Sequence, residues 1–185
     1  MRIGIDCDGV LRDLITCITD TVKKTHPEYS DKILEPTSWD WEQWLPFWTD
    51  EETEKYVFED NYIDLFGIDV PPIESSVEDW TKLKKWARDN GHELVLVSAQ
   101  REHCKELTDE WLKMWGFDFK EKHYTHHKWA VDVDYLIDDS PEKLKDFNDK
   151  SISGGKSICM KQSWNTECHT KYKTIDRLSD ITKLV

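Results

Sequence analysis

The sequence predicts an α/β fold built on a parallel sheet, and three observations carry that prediction. Short apolar runs at Ile3-Gly4-Ile5, Leu94-Val95-Leu96-Val97 and Leu136-Ile137 have the length and composition of buried strands. Segments with apolar residues at helical spacing separate them. Two of the runs pass directly into acid pairs followed by turn signals, Asp6-Cys7-Asp8-Gly9 and Asp138-Asp139-Ser140-Pro141. Both pairs would then converge at the carboxyl edge of the sheet, where open α/β folds place their chemistry.

The first strand brings Asp6 and Asp8 to one face, because alternate residues on a strand point the same way, and Gly9 permits a sharp turn after them. Residues 11–26 read as a helix with Leu14, Ile15, Ile18 and Val22 at helical spacing, ended by His26-Pro27. From Pro36 to about Pro72 the composition changes. Trp39, Trp41, Trp44, Phe47 and Trp48 crowd together, and Tyr56, Phe58 and Tyr62 follow among acids. We read this stretch as an inserted cap, closed by Pro71-Pro72. A helix resumes over 76–90, with Val77, Trp80, Leu83 and Trp86 as its apolar stripe and Asn90-Gly91 as its end. The strand over 93–97 finishes in a hydroxyl, Ser98. A helix with Leu107, Trp111, Leu112 and Trp115 runs to Gly116, and a short segment from His123 to His127 leads to Lys128. The strand into Asp138, a helix over Pro141 to Phe147 and a last strand at Ser157-Ile158-Cys159-Met160 complete the alternation, which implies right-handed crossovers. The expected organisation is one domain, with a core of residues 1–26 and 73–185 and a cap of about 27–72.

The 185 residues suffice for one such domain. A formal net charge of −13 argues against gripping duplex nucleic acid through its backbone, which needs clustered Lys and Arg. There is no apolar run of membrane-spanning length, and Asp6 and Asp8 interrupt any signal-peptide pattern. The five cysteines are odd in number and form no Cys-x-x-Cys pair, so reduced thiols and a cytoplasmic location are expected. His123, His126, His127, His103-Cys104 and Cys168-His169 match no usual zinc spacing.

Two converging acid pairs suit a magnesium ion, which takes six oxygens and keeps several waters. Asp6 is ionised at neutral pH and can attack phosphorus without a base to activate it. Asp6, the backbone carbonyl of Asp8 and one acid of the pair Asp138 and Asp139 would hold the metal. Adjacent acids leaving a strand point in different directions, so either can be the direct ligand.

In order along the chain, Asp6-Cys7-Asp8-Gly9-Val10-Leu11, Ser98, Lys128 and Leu136-Ile137-Asp138-Asp139 resemble the four motifs of haloacid dehalogenase-like phosphatases. Within that superfamily the sequence is most similar to the 5'(3')-deoxyribonucleotidases, which share the Asp-x-Asp-Gly-Val-Leu-x-Asp start, an aromatic cap after the first helix and a lysine ten residues before the acid pair. Gln162-Ser163-Trp164-Asn165 also looks like that family's Gln-Pro-Trp-Asn segment. The resemblance implies a three-layer Rossmann-like core with a small helical cap, and a magnesium-dependent phosphatase acting on deoxyribonucleoside monophosphates. It implies Asp6 as nucleophile and Asp8 as acid and then base. Asp139 becomes the favoured direct ligand with Asp138 behind it, and Ser98, the amide of Ala99 and Lys128 hold phosphate. Two departures stand out. Ser98-Ala99-Gln100 replaces the Thr-Ser-Pro of many relatives, and Ser140 stands where some carry arginine.

Aromatic rings in a small insertion form its own core or enclose a nucleobase, and Trp39, Trp41, Phe58 and Tyr62 are the candidates for the second role. Two other functions fit the fold: a phosphatase for another small phosphomonoester, and a catalytically silent nucleotide-binding module. Asp6, Asp8, Lys128 and Asp139 together count against silence, since a binder has no need of all four.

Overall fold

The structure is a computed structural model that describes residues 1–38 and 40–185. Its six strands are β1 (Arg2–Ile5), β2 (Glu93–Ser98), β3 (Glu121–Tyr124), β4 (Tyr135–Asp138), β5 (Lys156–Met160) and β6 (Lys173–Ile175). They form one parallel sheet in the order β3-β2-β1-β4-β5-β6. The chain runs outward from β1 in both directions, so the order reverses between β1 and β4, and the crevice at that switch point receives the ends of both strands.

The period of two along each strand divides the core into layers. Ile3, Ile5, Leu96, Ile137 and Ile158 face one side, against Trp80 and Leu83 of α5 (Ser76–Asp89) and Trp111 and Leu112 of α6 (Lys105–Trp115). Val95, Val97 and Leu136 face the other, against Phe147 of α7 (Pro141–Lys150). Cys7 follows the same alternation. Its thiol is buried with the first set while Asp6 and Asp8 on either side of it turn toward the crevice.

Two strands lie where the sequence predicts none. β3 and β6 occupy the sheet edges, and their sequences, Glu-Lys-His-Tyr and Lys-Thr-Ile, are half exposed and mostly polar. Backbone pairing to one neighbour makes them strands, without the apolar burial that a sequence pattern reports. Val77 is also displaced from its expected role. At 36% exposure it lies outside the inner face of α5, which instead buries Asp79 beside Trp80, Leu83 and Ala87. Arg177 donates to both oxygens of Asp79, at 2.7 and 3.1 Å, which satisfies the buried carboxylate.

Between α1 (Leu14–Thr25) and α5 the described residues form a 3-10 helix at Pro27–Lys32 and three short α-helices, α2 (Trp41–Trp44), α3 (Asp50–Lys55) and α4 (Tyr62–Phe66), together with a wide turn at Tyr56–Asp60 closed by Asn61 N donating to Tyr56 O at 3.0 Å. Their apolar residues cluster with Ile18 and Val22 of α1 and with Cys104. The exit and return of this segment lie side by side, because Asp13 N donates to Pro71 O at 3.1 Å and Ile73 N donates to Leu11 O at 2.8 Å. Among the described residues no helix is long and apolar enough to cross a membrane.

Candidate active site

Parallel register places the two acid pairs together. Ile5 is level with Ile137, and Asp6 N donates to Ile137 O at 3.0 Å, so Asp6 and Asp138 leave adjacent strands side by side. Ser98 ends β2 on the other side of β1. Asp6, Asp138 and Asp139 are all buried, and their carboxylate oxygens approach within 4.8 Å of one another. Gly9 makes this packing possible. Its φ of +74° is left-handed, and a side chain there would overlap the Asp139 carboxylate.

Lys128, in a short helical turn of its own, reaches between the pairs. Its Nζ lies 2.9 Å from Asp6 Oδ2 and donates to Asp138 Oδ2 at 2.6 Å. Asp138 Oδ1 also accepts from Ser140 N at 2.9 Å, so both of its oxygens are engaged. Asp139 is held differently. Trp164 Nε1 donates to its Oδ2 at 2.9 Å and Asn165 Nδ2 donates to its carbonyl at 2.8 Å. Asp6 Oδ1 is buried and has no hydrogen-bond partner among the described residues.

The electrostatics follow from burial and crowding. Burial pushes the Asp6 carboxyl up to about 7; Lys128 opposes this, while Asp138 and Asp8 add to it. Burial, then Asp138 and Asp6, raise Asp139 well above the usual carboxylate range. Burial acts to lower Lys128, but Asp138 and Asp6 outweigh it and hold the ammonium above its ordinary value. Four carboxylates, Asp6, Asp8, Asp138 and Asp139, therefore stand against two buried cations, Lys128 and Arg12. Fully ionised, the site would carry an excess of negative charge, and the raised Asp6 and Asp139 are the response of a metal-free site to that burial and crowding.

Asp8 points to a different set of partners. Arg12 Nε donates to its Oδ1 at 2.7 Å and Arg12 Nη2 to its Oδ2 at 3.2 Å, while Gln100 Nε2 also donates to Oδ2. Gln162 Nε2 donates to Gly9 O at 2.7 Å and ties the turn after Asp8 to the segment that carries Trp164.

These groups open onto a cavity of about 170 Å³ lined by Asp6, Asp8, Ser98, Ala99, Lys128 and Asp139, with Trp41, Phe58, Phe66, Leu14 and Ile15 forming an apolar wall. Trp41 and Phe58 thus stand where the sequence anticipates contact with substrate. Tyr62 does not line the cavity, and its ring packs edge-on against His103 at 4.8 Å. Trp39 lies outside the described residues. Arg12, Gln100, Ser140 and Lys143, which the motifs do not predict as site residues, also touch the cavity or Asp8. A charged residue four positions after Asp8 inside the apolar run Val10-Leu11 to Leu14-Ile15 was the available signal for Arg12.

Comparison with known proteins agrees with this geometry. The profile of the 5' nucleotidase, deoxy (pyrimidine), cytosolic type C protein family matches residues 1–185. A protein of Acanthamoeba polyphaga mimivirus, named as a candidate 5'(3')-deoxyribonucleotidase, is 28% identical over 174 residues, covering 89% of this chain and 75% of its own. L-2-haloacid dehalogenase from Xanthobacter autotrophicus superposes with a TM-score of 0.64 at 10% identity, over 99% of this chain and 97% of that one. A haloacid dehalogenase-like hydrolase from Bacillus subtilis, solved with magnesium, gives 0.56 at 11% identity over 99% and 97% of the two chains. The structural matches show the fold and the profile shows the family: this chain belongs to the 5' nucleotidase, deoxy (pyrimidine), cytosolic type C proteins and is a phosphatase on the haloacid dehalogenase fold.

Proposed function

We propose that the enzyme hydrolyses deoxyribonucleoside monophosphates with magnesium, through a phosphoryl group carried on Asp6. The observation that carries this reading is the state of Asp6: a buried carboxylate at the base of the cavity, with one oxygen on Lys128 and the other unpartnered among the described residues.

The residues present fit a divalent cation. All the ligand atoms on offer are hard oxygens, one of them is an orphaned buried carboxylate oxygen, and the excess of carboxylates over cations matches a double positive charge. Asp6, Asp139 and the carbonyl of Asp8 would hold it. Asp139 is favoured over Asp138 because Lys128 and Ser140 N already occupy both Asp138 oxygens, whereas Trp164 occupies one of Asp139. The chemistry such an ion supplies when bound is charge, which lessens repulsion between an anionic nucleophile and an anionic phosphate.

The chain's own groups do the rest. An Asp6 oxygen forms a bond to phosphorus as the ester P–O bond breaks, and Asp8 gives its proton to the departing alkoxide, releasing the nucleoside as an alcohol. Water then attacks the same phosphorus and passes a proton to Asp8; the bond to Asp6 breaks, and inorganic phosphate leaves. Lys128, Ser98 and the amide of Ala99 hold the oxygens over which charge spreads in the transition state. Trp41 and Phe58 offer faces for a base, and an apolar wall penalises a ribose 2'-hydroxyl that finds no partner there. Five cysteines, all free, support a reducing, cytoplasm-like setting.

Phosphate release from deoxyribonucleotides, ribonucleotides and para-nitrophenyl phosphate, with and without magnesium, tests the reading. Faster release from the deoxyribonucleotides that vanishes on chelation is the expected result. Hydrolysis of other phosphomonoesters alone would leave a phosphatase with a different substrate, and magnesium-independent turnover would remove the metal from the mechanism.

A further inference from the structure

Arg12 is among the most completely enclosed side chains in the protein, at 0% exposure, and each of its three guanidinium nitrogens donates a hydrogen bond. Nε and Nη2 grip the two oxygens of Asp8. Nη2 also donates to Thr108 Oγ1 of α6 at 3.2 Å, and Nη1 donates to Phe66 O at the end of α4 at 3.0 Å. The plane is stacked between two rings, with its central carbon 5.0 Å from the Phe66 ring and 5.2 Å from the Trp111 ring. Its backbone lies at the crossing point between the two parts of the chain, bridged to Pro72 where the segment after α1 returns.

Enclosing a guanidinium this completely is costly unless its nitrogens find acceptors, and the acceptors here come from three separate places: the acid after β1, a helix of the core and the backbone carbonyl of Phe66, whose ring lines the cavity wall. We infer that Arg12 is a positioning residue for Asp8: its two-pronged grip fixes which way the Asp8 carboxylate faces over the cavity, and its bond to Phe66 O makes that direction depend on the seating of α4. This rests on the proposed role of Asp8 as proton donor.

The lone pairs specify the atom. Asp8 Oδ2 accepts from both Arg12 and Gln100, whereas Oδ1 accepts from Arg12 alone, so Oδ1 is the oxygen left free to exchange a proton with the leaving group and then with water. A monodentate partner such as lysine would leave the carboxylate free to rotate away from that direction. Thr108 acts one step further out, by holding the far side of the guanidinium.

The test separates proton donation from general damage by leaving group. para-Nitrophenolate departs without a proton, while the alkoxide of an alkyl phosphate needs one. With kcat/KM measured in magnesium for para-nitrophenyl phosphate and for glycerol 2-phosphate, Arg12→Lys should lose about tenfold more on the alkyl ester than on the aryl ester, a part of the 10²- to 10⁴-fold that a positioned acid contributes. Equal losses on both esters, or no loss on either, would overturn the inference and make Arg12 a packing residue. Thr108→Val leaves the guanidinium and Asp8 in place and should shift the same ratio in the same direction by about threefold, a fraction of that contribution. Should Arg12→Lys fail to fold, an unchanged ratio in Thr108→Val overturns the inference instead. Neither ester contains a nucleoside, so a wrong substrate assignment leaves this test intact; a wild-type chain inactive on all phosphomonoesters overturns both readings at once.

Discussion

The strand ends and the segment between α1 and α5 line the same cavity and are built on opposite plans. At the strand ends almost every polar atom is tied to another: Lys128 to Asp6 and Asp138, Trp164 and Asn165 to Asp139, Arg12 and Gln100 to Asp8. In the inserted segment the contacts are ring on ring. Trp41 stacks on Trp44 at 5.5 Å, Phe47 on Tyr29 at 4.3 Å, and Trp48 leans on Tyr56 at 4.6 Å. Directional bonds fix carboxylates to within the tolerance that phosphoryl transfer demands. Ring packing fixes only a surface. The difference teaches that among the described residues most of the aromatic rings of the insertion pack on one another, and that Trp41, Phe58 and Phe66 are the rings that border the cavity.

Substitutions on the two sides should therefore fail in different ways. Asp6→Asn should abolish phosphate release and leave no phosphorylated protein after quenching with labelled substrate, the largest effect expected; near-normal turnover in that variant would break the covalent scheme. Lys128→Ala should cost about 10² to 10³ in kcat, by analogy with the loss of one charge-stabilising donor. Its steady-state kinetics should show the loss on nucleotides and on para-nitrophenyl phosphate alike, since the phosphate is common to both.

On the aromatic side, Trp44→Ala and Trp41→Ala form a matched pair. Trp44 is buried, and its truncation should lower stability by about 3–5 kcal/mol in a denaturant melt. Trp41 borders the cavity, and its truncation should lower kcat/KM for nucleotides by about tenfold, within the 1–3 kcal/mol that base stacking supplies, while sparing para-nitrophenyl phosphate. If the two variants behave alike, no division exists between a packing set and a substrate-facing set.

The smallest effect concerns pH. Asp6 ionises near 3.8 when unfolded and is pushed up to about 7 in the fold, chiefly by burial. Between those values the unfolded chain has lost a proton that the folded chain retains, so stability falls as pH rises through the window and levels off above 7. Metal-free Asp6→Asn should then melt higher than metal-free wild type at pH 8, by on the order of several degrees, and match it near pH 3. Magnesium should raise the wild-type melting temperature at pH 8 and leave that of Asp6→Asn nearly unchanged. A gap that does not depend on pH would mean that Asp6 destabilises the apo-protein by something other than its charge.

The contrast between the two regions also governs what the sequence could reveal. β1, β2 and β4 were legible because of their apolar runs, and β1 and β4 pass straight into acids, so pattern and chemistry coincide at Asp6, Asp8 and Asp138-Asp139. The edge strands β3 and β6 were not, since a polar edge strand owes its state to a neighbour far away in sequence. Lys128 was found by its order among the motifs. Arg12 left a local signal as a charge inside an apolar run, whereas for Gln100 and Lys143 nothing local distinguishes a side chain that faces the site from a solvated one; only the fold brings Gln100 to Asp8. In the insertion the sequence gives ring types but not ring faces, and so Tyr62, which packs on His103, could not be told from Phe58.

The central place of β1 also sets the order in which the enzyme can come into being. Gly4 pairs with Val95 on one side and with Leu136 on the other, so β1 is synthesised before either partner and waits for segments about 90 and 130 residues further along. Contacts so distant in sequence are slow to form, because the intervening loops must close before any reward is gained. The helices between α1 and α5 draw more of their partners from nearby sequence, since they cluster on Ile18 and Val22 of α1, and Cys104 joins them later. A nascent chain would thus be expected to begin gathering the inserted helices on α1 before a reaction centre exists, and Asp6 and Asp8 become capable of chemistry only when β4 docks.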